Sequence, residues 1–121
     1  MDDEDLARML GLARAVIGAA CLFLPRRMTR LWTGEPHSAS TAMALRGLGG
    51  RDLALGVGLL RALEEEGHVA RWLEAGAVAD ASDTLAALAN SDLPPARRLT
   101  FLLAAGGAAG LGLYLAASIE D

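Results

Sequence analysis

Between residues 99 and 119 the chain reads LTFLLAAGGAAGLGLYLAASI, without a single charged side chain. At 1.5 Å rise per residue, a helix over that run is about 30 Å long, the thickness of a bilayer's hydrocarbon core, so it reads as a transmembrane helix. Its Gly106-Gly107-Ala108-Ala109-Gly110 stretch carries a small-xxx-small spacing, which lets another helix approach closely. The surrounding composition agrees with helices: 53% of residues are hydrophobic but only 4% are aromatic, and Ala, Leu and Gly dominate.

Proline, glycine and polar clusters divide the chain into four helical segments, at about 5–24, 41–63, 69–90 and 96–119. Pro25 stops the first; PRRMTRLWTGEPHSAS follows it and offers Ser38 or Ser40 as a cap for the second. EEEGH and SDLPP separate the remaining pairs, and no strand-like alternation occurs. Each segment is about 20 to 24 residues, enough to span a bilayer. The connections carry opposite charges. Arg26, Arg27 and Arg30 lie in the first and Arg97 and Arg98 in the third, whereas Glu64, Glu65 and Glu66 fill the second. The termini are acidic too, with Asp2, Asp3, Glu4 and Asp5 at one and Glu120 and Asp121 at the other. The positive-inside rule then places 25–37 and 91–98 in the cytoplasm and both termini outside, in a multi-pass protein of the inner (plasma) membrane. Trp32 and Trp72 fall where interfacial anchors belong. The start MDDEDLARML lacks the basic region of a signal peptide, so membrane entry is expected through the helices themselves. The expected fold is an all-α, four-helix transmembrane bundle in a lipid bilayer; a soluble four-helix bundle is the alternative.

Full charges inside the second and third segments are the difficulty. GLGGRDLALGVGLL (47–60) contains Arg51 and Asp52, which cost about 5 to 7 kcal/mol together at a bilayer centre, against about 3 to 4 returned by the Leu and Val residues of that segment. VARWLEAGAVADASDTLAALAN (69–90) carries Asp80 and Asp83 with fewer large apolar neighbours. Such helices insert only with their charged faces turned into the bundle. Charges of opposite sign recur at three matching depths, Arg14 and Glu74 near the outer side, Arg51, Asp52 and Asp80 at the midplane, Arg46 and Asp83 near the inner side, and the GLGGRD charges are expected to partner Asp80 and Asp83. Helical spacing sets these charges on small-residue faces. Ala7, Gly11, Arg14, Gly18 and Cys21 share one; Gly47, Arg51, Ala54 and Gly58 a second; Leu73, Gly76, Asp80, Asp83 and Ala87 a third.

Several function classes are set aside. All eleven basic residues are Arg, but they form no basic stripe and there is no aromatic platform, which excludes nucleic acid. Cys21 stands alone and His37 and His68 fall in loops, so neither a disulfide nor a zinc site is expected, and no cofactor is. GLGGRD follows no strand and matches no nucleotide-loop spacing, while Ser82, Ser91 and Cys21 have no histidine base within any helix. Arg14, Arg46, Arg51, Asp52, Glu74, Asp80 and Asp83 remain. Three roles suit them. They form internal ion pairs that fix helix register; or Arg51 binds an anionic group while Asp80 and Asp83 exchange protons or hold a cation; or a membrane enzyme uses Asp80 and Asp83 as acid and base on a lipophilic substrate, with Arg51 stabilising negative charge. The glycines of 106–110 serve either an internal contact or one with a second copy or partner membrane protein.

The pattern RGLGGRDLALGVGLL (46–60), followed one helix later by AVADASDTLAAL (77–88), resembles the small four-helix bacterial membrane proteins of the DoxX-like group, and within it a family of unknown function. Their G-x-R-[DN]-x-x-x-G falls here on Gly49 or Gly50, Arg51, Asp52 and Gly56, and their acidic A-D-x-x-D on Asp80 and Asp83. The resemblance implies a fold and a membrane location, without an activity.

Overall fold

The computed structural model describes residues 1–32, 34, 38–90 and 92–119. Among them are five helices and no strand: α1 (Asp3–Phe23), α2 (Pro25–Trp32), α3 (Ala39–Glu65), α4 (Val69–Ala89) and α5 (Pro95–Ser118). His37, Ser91, Glu120 and Asp121, singled out above, lie outside the described residues.

The short α2 corrects the four-helix expectation. Pro25 ends α1 but also starts a new helix, because its fixed φ and missing N–H suit a first helical position. Thr29 is buried while Arg26, Arg27 and Arg30 are exposed, so this amphipathic turn packs beneath the bundle with its arginines outward. Helix ends follow local chemistry. Asp2 accepts from the Asp5 amide at 2.8 Å and Asp5 from the Asp2 amide at 3.2 Å, a capping box that starts α1 two residues before the expected position. That Asp5 amide holds the Asp2 carboxyl below its ordinary range. Ser38 caps α3 through the Thr41 amide at 3.1 Å, and Glu66, at φ 54°, turns the chain out of it.

Two antiparallel pairs form the body of the protein. In the first, Gly11 and Gly18 of α1 face Gly56 and Gly49 of α3, so closely that a Cβ on Gly56 would lie 2.6 Å from both Ala15 N and Gly11 O. In the second, Gly112 of α5 lies over α4, where a Cβ would stand 3.3 Å from Leu73 O and 3.4 Å from Ala77 Cβ. Between the pairs, Trp72 of α4 covers Gly58 of α3. Two expectations about small residues change accordingly. The buried face of α3 runs through Ala42, Gly49 and Gly56, and Gly47 meets nothing within 4 Å. In α5 the close approach is at Gly112, whereas Gly107 and Gly110 face open space. Gly110→Ala therefore raises thermal stability by about 0.5–1 kcal/mol, since it removes backbone freedom from the unfolded chain and meets no neighbour. A destabilised variant in a melting experiment would show that this face is in contact.

The large side chains are unevenly placed along the bundle. Leu59, Leu63, Val69, Leu73 and Leu115 gather with Ala7 and Ala62 at the end that carries the N-terminus of α1 and the α3–α4 turn. That end is also the acidic one, with Asp2, Asp3, Glu4 and Asp5 near Glu64, Glu65 and Glu66 in the antiparallel register. Toward the arginine end, α5 presents Ala96, Ala104, Ala105 and Ala108 to α1, and these short side chains leave a gap instead of a core.

Candidate functional site

Five charged side chains from three helices meet halfway along the bundle. Arg14 of α1 and Asp80 of α4 are only 7% and 6% exposed, and their groups form a two-pronged pair: Nη1 donates to Oδ1 at 3.1 Å and Nη2 to Oδ2. Gly76, one turn before Asp80, makes room, since a Cβ there would sit 2.8 Å from Arg14 Nη2. Arg51 of α3 forms a second fork on Asp83, with Nη1 to Oδ1 at 3.0 Å and Nη2 to Oδ2 at 2.6 Å. Asp52 joins the two: its Oδ1 accepts from Arg51 Nε at 3.3 Å and Nη2 at 3.2 Å, and lies 3.8 Å from Arg14 Nη1. The order is Asp80, Arg14, Asp52, Arg51, Asp83, alternating in sign, and both ends are anchored one turn apart on α4. Two-pronged guanidinium–carboxylate pairs are the strongest of their kind, and they hold α1, α3 and α4 in one register.

Five of the seven residues expected at a polar centre are thus brought together. Arg46 and Glu74 are not: both are exposed. Depth alone paired Glu74 with Arg14 and Arg46 with Asp83, but Glu74 precedes Asp80 by six residues and so points about 240° around the helix from it, while Arg46 stands about 140° from Arg51. Arg97 and Arg98, expected above in a connection, lie in the first turn of α5 and have backbone partners. Arg97 donates to Leu31 O at 2.9 Å, and Arg98 to Ala87 O at 2.9 Å and to Leu88 O, so each guanidinium covers the last carbonyls of a helix, α2 and α4 respectively.

A cavity of about 650 Å³ opens beside the network, between α1 and α5. Arg14, Asp52, Asp80 and Asp83 form its inner wall; Ile17 of α1 and the α5 alanines form its sides. Leu31, Trp32 and Phe101 close its far end, with the two rings edge to face at 6.1 Å. The wall on α5 follows Arg97, Phe101, Ala104, Ala105 and Ala108, one helical face whose side chains shrink toward the bundle centre. Sequence reasoning passed over it because alanine in an apolar helix carries no chemical mark. Its spacing was legible, but only the position of α1 shows that the face borders a space. Asp80 and Asp83 each sit in their own guanidinium fork, and no group of three or more metal-ligating side chains converges among the described residues.

No family model matches this chain, and neither a curated protein nor a solved structure is similar to it. The fold and site define the class: an all-α bundle with a five-charge network, buried at Arg14 and Asp80 and part-buried at Arg51, Asp52 and Asp83, beside an apolar cavity.

Proposed function

We propose that this is a multi-pass membrane protein that binds a small lipophilic molecule in the cavity between α1 and α5, with the Arg/Asp network as clasp and polar floor. The observation that carries the reading is the combination of apolar walls with carboxylates at the inner end, the usual make-up of a site for a mainly apolar molecule. Membrane placement draws support from α1 and α5, both long and apolar enough to span a bilayer. Large apolar side chains also stand on the outside of every long helix, among them Val16, Met43, Val78, Leu85 and Leu103, 67–75% exposed. In α3 and α4, the four charges nearest the middle of the bundle, Arg51, Asp52, Asp80 and Asp83, are paired within it, while Arg46 and Glu74 are exposed. With the arginine end cytoplasmic, the gap between α1 and α5 faces lipid, and a ligand enters sideways from the bilayer. The DoxX-like resemblance is in keeping with this placement.

Ala105→Phe tests the site. A phenyl ring there fills the cavity from the α5 side and leaves the charge network intact. Diphenylhexatriene, a neutral apolar fluorophore, should bind the detergent-solubilised protein and lose at least tenfold in affinity in the variant, while circular dichroism and melting temperature stay the same. Equal binding to both proteins would rule out the cavity as a site. Retention of the untagged protein in the supernatant of detergent-free cell extracts would rule out the membrane placement.

A further inference from the structure

Resting on that reading of the cavity, we infer that its ligand is a lipophilic cation, an apolar body with one positively charged group that contacts Asp52. The network behind the inner wall holds three carboxylates and two guanidiniums, which leaves one negative charge over. That excess has a location. Both oxygens of Asp80 and both of Asp83 are taken up by the forks, whereas every donor to Asp52 reaches Oδ1, and no described residue donates to Oδ2. The Asp52 side chain is 14% exposed and lines the cavity, and a carboxylate oxygen without a donor beside an apolar space is costly. A cation adds there without disturbing either fork. An anion would have to displace Asp80 from Arg14 or Asp83 from Arg51, breaking a two-pronged pair to gain its own. The other cation at the cavity, Arg97, lies two helical turns from Ala104, about 10 Å along α5, and its guanidinium covers the α2 carbonyls. The ligand therefore points its charge at Asp52 and its apolar body toward Leu31, Trp32 and Phe101.

Two ions of nearly the same shape and opposite charge separate these cases: tetraphenylphosphonium and tetraphenylborate. Equilibrium dialysis is run on the full chain in neutral detergent, and binding that persists in Ala105→Phe is subtracted as micelle partition. Cavity-dependent binding of the phosphonium is expected to exceed that of the borate by tenfold or more. Asp52→Asn, which keeps an oxygen for Arg51, should remove that preference with the melting temperature little changed. Thr100→Arg, at an exposed position on the cavity wall away from the network, should weaken the phosphonium and not the borate. Preference for the borate, or a phosphonium affinity unchanged by Asp52→Asn and Thr100→Arg, overturns the charge assignment. Should diphenylhexatriene alone bind in a cavity-dependent way, the site stands and the cation does not; should no probe do so, both readings fail.

Discussion

Arg14→Met should lower the melting temperature of the purified protein by about 10–20 °C, the largest effect of any single change in the charge network. Removing one partner of a buried pair leaves the other charged and unsatisfied, which costs about 3–5 kcal/mol, and in a chain of this size each kcal/mol moves the midpoint by about 4 °C. Asp80 loses both of its guanidinium donors in this variant and Asp52 loses its link to α1. Asp80→Leu removes both of Arg14's close acceptors and leaves it only the 3.8 Å contact with Asp52. The double change Arg14→Met with Asp80→Leu should recover most of the loss, because no charge is then left without a partner and the space is filled by apolar atoms. Arg51→Met should cost less, since its side chain is 33% exposed and water can reach the carboxylates it leaves. Arg46→Ala and Glu74→Ala, on the outer surface, should stay within about 0.5 kcal/mol of the parent. A Glu74→Ala protein that melts like Arg14→Met would restore the pairing by depth and contradict the geometry.

That contrast shows where the sequence was sufficient. On α1 the stripe Ala7, Gly11, Arg14, Gly18 and Cys21 is buried throughout, and it was readable because the opposite face holds Met9, Leu12 and Val16. On α4 the stripe was right at Leu73, Gly76, Asp80 and Ala87 for the same reason. On α3 two small-residue stripes compete, Gly47 with Ala54 and Gly58, and Gly49 with Gly56, about 200° apart at their first members. Periodicity cannot choose between them. The choice is made by α1, whose own glycines need a smooth partner, while Gly58 takes the Trp72 ring from the other side. The Arg51–Asp83 pair was legible and the Arg14–Asp80 pair was not, because depth is one coordinate and azimuth the other. The cavity was not legible at all, since it results from what α1 and α5 do not fill.

Gly49→Ala is expected to separate α1 from α3 and to destabilise the protein by about 3 kcal/mol or more, beyond the usual range for a single added methyl group. A Cβ at Gly49 would stand 2.5 Å from Gly18 O, 2.6 Å from Leu22 N and 2.8 Å from Cys21 Cβ. Two of these are backbone atoms of a regular helix, so no rotamer change relieves the overlap. The helices must part, and the contacts at Gly11, Gly18 and Gly56 loosen together, because all four glycines lie along one seam. Gly47→Ala and Gly50→Ala should do the opposite: a Cβ at either meets nothing within 4 Å, and replacing glycine in a helix interior gains about 0.5–1 kcal/mol. Three glycines within four residues thus give opposite signs in one melting series, and only the glycine on the α1 seam is destabilising. Loss of the seam also moves Arg14 relative to Asp52, so Gly49→Ala should weaken binding in the cavity, although the residue itself does not line it. Equal stability of all three variants would mean that α1 and α3 do not meet through glycine, and the register that brings Arg14 beside Asp80 would lose its support.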